Sequence, residues 1–91
     1  MERTIEATAR KVLMQEGMTW KNRGLNIFNE QVIVRKSSDN FKLYVNTQKM
    51  EVTPERVKEI IEKMKEELKK INVKVGEEET LYSFKVITIE L

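Results

Sequence analysis

The chain has 91 residues, of which 17 are Lys or Arg and 15 are Asp or Glu, and it contains neither Cys nor His. A chain of this length is expected to form a single domain, residues 1–91, with one modest core. Without Cys and His it lacks the usual nucleophile, general base and zinc ligands, so we expect a non-enzymatic protein that binds no metal or cofactor. The Glu- and Lys-rich composition is typical of proteins from hot environments, although six Asn residues weigh mildly against a thermophilic source.

Hydropathy gives an expectation for the location of the protein. The longest uninterrupted apolar runs, residues 12–14 and 32–34, have three residues each, whereas a membrane-spanning helix needs about 20. The N-terminal residues contain no apolar stretch of the kind that forms a secretory signal. We therefore expect a cytoplasmic protein with no membrane association.

The first half of the chain predicts one helix and one β-hairpin. Apolar residues at helical spacing predict a helix over residues 3–16, which Gly17 is suited to end. Residues 18–30 have no regular pattern. The β-branched run 31–36, the turn-forming cluster 37–40 and the alternating segment 41–46 then predict a hairpin.

The second half begins with the clearest element, a helix over residues 54–71. Thr53 is a natural N-cap and Pro54 fits the first helical position. A short strand is predicted over residues 72–75, a turn over 76–79, and a long strand over 80–90. The apolar pattern of the long strand changes face between Val86 and Ile87, which requires either a β-bulge at that point or burial on both faces.

This order of elements, α-β-β-α-β-β, predicts an α+β fold. Two amphipathic helices can cover one face of an antiparallel sheet of about four strands, which gives a two-layer sandwich. The other face of the sheet would then be exposed. Lys42 and Tyr44 are predicted to lie on it, and Arg35 joins them if it pairs suitably across the hairpin.

The exposed face suggests a non-catalytic module that binds nucleic acid. Residues 1–50 carry a net charge of +4 and residues 51–91 a net charge of −2. Phosphates bind cations and bases stack on aromatic rings, so seven residues of the first half form the candidate surface: Trp20, Lys21, Arg23, Arg35, Lys36, Lys42 and Tyr44. The simpler alternatives are an ordinary solvated sheet face and a Trp20 that covers the core.

A protein–protein interaction module is the alternative function. Such a small subunit, adaptor or viral inhibitor would act through the first helix or the C-terminal strand. If that strand lies at the sheet edge, its unpaired backbone groups invite a partner strand. A homodimer would then bury Ile87, Ile89 and Leu91; if the strand is central, both of its faces are covered instead.

The remaining candidates for chemistry are weaker. Three consecutive carboxylates, Glu77 to Glu79, are better explained as a polar hairpin tip than as a cation site, because adjacent side chains point in different directions. The sequence contains no Ser-x-x-Lys pattern, phosphate-binding loop or dinucleotide fingerprint. These observations also favour binding over catalysis.

Overall fold

The computed structural model describes residues 1–18 and 30–90, and it confirms the predicted α+β fold and the order of its elements. The helices are α1 (Glu2–Gln15) and α2 (Pro54–Lys69), the strands are β1 (Val32–Lys36), β2 (Asn40–Asn46), β3 (Lys74–Leu81) and β4 (Phe84–Glu90), and a 3₁₀ helix spans Gln48–Met50. The sheet is antiparallel with the strand order β1-β2-β4-β3. No helix in the described ranges is long and apolar enough to cross a membrane.

The start of α2 and the end of α1 have the features that their sequences predict, although α1 lies one residue earlier than predicted and α2 ends two residues earlier. In α2, the Thr53 hydroxyl accepts a hydrogen bond from the Arg56 backbone N–H at 3.2 Å. After α1, Gly17 has φ +75°, and the backbone N–H of Met18 reaches the carbonyl of Leu13 at 2.7 Å. This 6→1 bond is the Schellman arrangement, which satisfies carbonyls at the helix end and favours glycine at the left-handed position.

The core lies between the two helices and one face of the sheet. The apolar stripe of α1 is buried as predicted, and α2 buries a second stripe against it. Phe41, Leu43 and Val45 of β2 face the helices and are at most 4% exposed. The predicted alternation of this strand is therefore confirmed.

Strand β4 is internal, which corrects one proposed interface. It is hydrogen-bonded to β2 on one side and to β3 on the other. Ile87 and Ile89 have no exposed surface, because they pack in the core under the helices, while Val86 on the opposite face is 2% exposed. The change of face between Val86 and Ile87 thus reflects burial on both sides. A partner interface formed by Ile87 and Ile89 at a sheet edge is incompatible with this position.

The β3–β4 hairpin differs from its prediction. Residues 76–79 continue strand β3, and the turn is formed by Tyr82 and Ser83, because Leu81 pairs with Phe84. The irregular step is a register shift between Val75 and Glu78 of β3. A Cβ at Gly76 would lie 3.2 Å from the Thr88 carbonyl oxygen, so glycine allows the close approach that this bulge requires.

Glu16 joins the end of α1 to α2 through two cations. Its carboxylate contacts the Arg56 guanidinium at 3.1 Å and the Lys63 ammonium at 2.5 Å. The hydrogen bonds from Lys63 and Arg56 hold the pKa of Glu16 below its ordinary value. Glu78 of β3 forms a similar contact with Lys65 of α2, whose hydrogen bond lowers the pKa of that carboxyl.

Acidification is expected to destabilise the fold through these carboxylates. The unfolded-state pKa of Glu is about 4.3, and the folded-state pKa of Glu16 is lower. The stability that Glu16 contributes is therefore present above about pH 4.3 and is lost as the pH falls through its folded-state pKa. Thermal unfolding followed by circular dichroism at a series of pH values measures this loss.

The control for this prediction is Glu16→Gln, which keeps the size of the side chain and cannot ionise. At neutral pH this variant is expected to be less stable than the parent, because Arg56 and Lys63 lose their charged acceptor. When the pH is lowered from neutral to below the folded-state pKa of Glu16, the free energy of unfolding of this variant should fall less than that of the parent. Identical acid sensitivity of the two proteins would contradict the role given to Glu16.

Candidate nucleic-acid interface

The face of the sheet turned away from the helices carries part of the predicted basic surface. Arg35 of β1 pairs with Lys42 of β2, and Lys42 pairs with Thr88 of β4. Paired residues share a face of the sheet, and residues alternate along a strand. Arg35, Lys42, Tyr44 and Thr88 therefore lie on one side, which we call the outer face. The expectation that Arg35 joins Lys42 and Tyr44 is confirmed.

Arg35 and Lys42 place two like charges directly opposite each other. Residues paired in this way have Cα atoms about 4.5–5.5 Å apart. The Lys42 Nζ donates a hydrogen bond to the Thr88 hydroxyl at 2.8 Å, which orients the ammonium and leaves it further donors. Arg35 is exposed. Within residues 1–18 and 30–90, neither cation forms an ion pair with a carboxylate.

Three of the five cations of α2 provide a contrast. Arg56, Lys63 and Lys65 each contact at least one glutamate. A like-charge pair across a hairpin is destabilising, whereas an opposite-charge pair there contributes about 0.2–1 kcal/mol. The stability of the hairpin therefore does not explain why Arg35 lies opposite Lys42. A bound anion would neutralise both charges and remove the repulsion.

Tyr44 lies between the charged part of the outer face and an apolar part. Its half-buried ring meets Phe84 edge-on, with centroids 6.2 Å apart and planes at 88°. Phe84 and Val86 are 7% and 2% exposed although they lie on the outer face. The outer face thus offers cations at Arg35 and Lys42 and an aromatic ring beside them, which is a suitable combination for a phosphate and its attached base.

The other predicted site residues have different positions. Lys36 pairs with Phe41, a core residue, so Lys36 points to the helix side of the sheet and is separated from Arg35. Trp20, Lys21 and Arg23 lie outside the described residues, and so does Leu91. The described part of the predicted basic surface is therefore carried by the β1–β2 hairpin, with Thr88 of β4 beside it. Glu79 and Leu81 of β3 also lie on the outer face. Thr88 also belongs to the outer face. No sequence motif indicates this, because its position beside Lys42 depends on the pairing of β4 with β2.

A second surface feature, a groove beside α2, has no signal in the sequence. A groove of about 1010 Å³ lies between the first half of α2, the 3₁₀ segment and the tip of the β3–β4 hairpin. Val52, Val57 and Ile61 give it an apolar floor. Tyr82 stands at its border and is 92% exposed. The turn that places Tyr82 there contains neither Gly nor Asn, so the sequence predicts no turn at this point.

Comparisons with known proteins do not identify the chain. No known protein family, curated protein or solved structure matches it. In the part of the chain that the structure describes, no three Asp or Glu side chains converge in a way that could hold a metal ion.

Proposed function

We propose that this protein is a small non-catalytic domain that binds single-stranded nucleic acid on its outer face. The observation that carries the proposal is the cross-strand pair of Arg35 and Lys42, which has no carboxylate partner in the described ranges. Such a pair destabilises the hairpin when nothing is bound. Phosphate binding would replace this repulsion with attraction and release counterions from the nucleic acid.

Four side chains of the outer face have different tasks in this proposal. The planar guanidinium of Arg35 can donate two parallel hydrogen bonds to one phosphate, whereas the Lys42 ammonium acts as a point charge. Thr88 holds that ammonium on the outer face through its hydroxyl. Tyr44 would contact a base next to the bound phosphate. Bases in a single strand expose their π faces and can reach such a ring, while those in a duplex are stacked on each other.

The proposal predicts a salt-dependent affinity for single strands. Each phosphate contact to a single strand contributes a slope of about −0.7 to the dependence of log K on the logarithm of the salt concentration. Two contacts, from Arg35 and Lys42, give a slope of about −1.4. Fluorescence anisotropy with a labelled single-stranded oligonucleotide, repeated at several salt concentrations, measures this slope. The same sequence as a duplex is expected to bind more weakly.

Two single neutralisations form a matched pair, in which Arg35→Gln is the test variant and Arg3→Gln is the control. Arg35→Gln is expected to make the slope shallower by about 0.7, because one phosphate contact is lost. Arg3→Gln removes a charge that is also exposed, from α1 on the opposite side of the sheet, and is expected to leave the slope unchanged. Absence of binding at low salt, or equal effects of the two variants, would overturn the proposal.

A further inference from the structure

The tip of the β3–β4 hairpin contains a residue in an unfavourable backbone conformation. Tyr82 has φ +54°. It is the first of the two residues that connect Leu81 to Phe84, a position at which a positive φ normally selects glycine. A bulky side chain in this region is a genuine outlier, since its Cβ crowds the backbone.

Packing of the Tyr82 side chain within the described fold does little to offset this strain. The Tyr82 side chain is 92% exposed, so it contributes almost no packing to the core. The turn is nevertheless firmly held, because the Ser83 carbonyl accepts hydrogen bonds from the backbone N–H groups of Thr47 at 3.0 Å and Gln48 at 3.4 Å. A strained residue that is fixed in place without an internal role indicates a function outside the fold.

The groove beside Tyr82 has both apolar and charged side chains in its lining. Its apolar floor can receive an aromatic ring, and its lining contains two cations, Lys58 and Lys85, and two anions, Glu62 and Glu78. The charges of the lining therefore cancel. This neutral surface does not favour a polyanion, and two copies of it do not repel each other.

We propose that Tyr82 of one copy docks in the groove of a second copy, and that the second copy returns the contact around a two-fold axis. A two-fold interface needs one patch that is complementary to itself. This patch meets the requirement because the protruding ring and the apolar groove lie side by side. On its rim, Lys58 and Glu62 are one helical turn apart, so each can face the opposite charge of the partner.

The expected affinity is modest. A buried Tyr contributes about 150–250 Å², whereas a stable interface buries about 800 Å² on each partner. We therefore expect a dimer that forms in the upper micromolar range and that persists at high salt, because its centre is apolar. Sedimentation velocity at chain concentrations up to about 1 mM covers this range.

Tyr82→Gly is the test variant, because glycine relieves the strain. This variant is expected to unfold at the same temperature as the parent or at a higher one, and to remain monomeric. Val57→Lys blocks the groove and is also expected to be monomeric. An equimolar mixture of the two variants restores one of the two contacts and should associate more strongly than either variant alone.

An isotope-filtered NOE experiment on a mixed labelled sample of the parent locates the contact. Intermolecular signals are expected between the Tyr82 ring and the methyl groups of Val57. A parent protein that stays monomeric at about 1 mM, or a Tyr82→Gly variant that dimerises as strongly as the parent, would overturn the proposal. The Arg35 and Lys42 variants lie on another surface, so failure of the nucleic-acid proposal leaves this test unaffected.

Discussion

Reversing both outer-face charges, in the variant Arg35→Glu/Lys42→Glu, is expected to lower the affinity for single-stranded oligonucleotides on the order of 100-fold. Two attractive phosphate contacts are lost and two repulsive ones replace them. The variant keeps a like-charge pair across the hairpin, with the sign inverted, so its thermal stability should stay close to that of the parent. Anisotropy titrations and thermal unfolding of the same preparations measure both quantities.

The matched control is Arg3→Glu/Lys11→Glu. Both double variants change the formal net charge from +2 to −2. Arg3 and Lys11 are exposed residues of α1, so this variant alters the overall charge and leaves the outer face intact. We expect it to lose only the small affinity that depends on net charge. Equal losses of affinity in the two double variants would contradict a binding site on the outer face.

The single variant Arg35→Glu separates binding from stability. It converts the repulsive pair into a Glu opposite Lys42, which is expected to stabilise the hairpin by about 0.2–1 kcal/mol relative to a neutral pair. Binding should nevertheless fall, because an anion then faces the phosphates. A variant that is more stable than the parent and binds more weakly is the result expected if Arg35 serves ligand binding rather than stability.

The second large effect concerns the core. Ile87→Ala is expected to lower the free energy of unfolding by about 2–5 kcal/mol, because it opens a cavity around a side chain with no exposed surface. A domain of this size has a total stability of roughly 5–14 kcal/mol, so this variant will be close to unfolding at moderate temperature. Chemical denaturation at several protein concentrations measures the change.

Met14→Ala is the control for this prediction. Met14 is 67% exposed on α1, so the same kind of truncation there should change the free energy of unfolding by no more than about 0.5 kcal/mol. The effect of Ile87→Ala on the free energy of unfolding should be independent of protein concentration, because Ile87 packs against side chains of its own chain. A concentration-dependent loss would instead place Ile87 in an interface between chains and contradict its position in β4.

The helices and the first hairpin could be predicted because their signals are local. Apolar spacing, the Thr53 cap and the Gly17 stop each depend on residues within one or two turns, and all are found in the structure. The shared face of Arg35 and Lys42 was a conditional prediction. It depended on the register of the hairpin, which the turn at residues 37–40 and the core side of β2 together determine.

The second hairpin could not be predicted because its geometry depends on distant contacts. Three glutamates after Gly76 resemble a turn, yet they form part of β3, because the bulge and the pairing with β4 keep the strand continuous. The actual turn uses Tyr82 at a position that favours glycine. The central position of β4 likewise follows from pairing with β2 and β3, because its apolar residues on both faces are equally compatible with a β-bulge.

The central claim, that the outer face binds single-stranded nucleic acid, is tested most directly by NMR. Amide resonances are followed while an unlabelled single-stranded oligonucleotide is added to the isotope-labelled protein at low salt. We expect the largest shifts at Arg35, Lys42, Tyr44 and Thr88, and no change in the resonances of α1 and α2. Shifts confined to α2 or to the tip at Tyr82, or no shifts at saturating oligonucleotide, would contradict the claim.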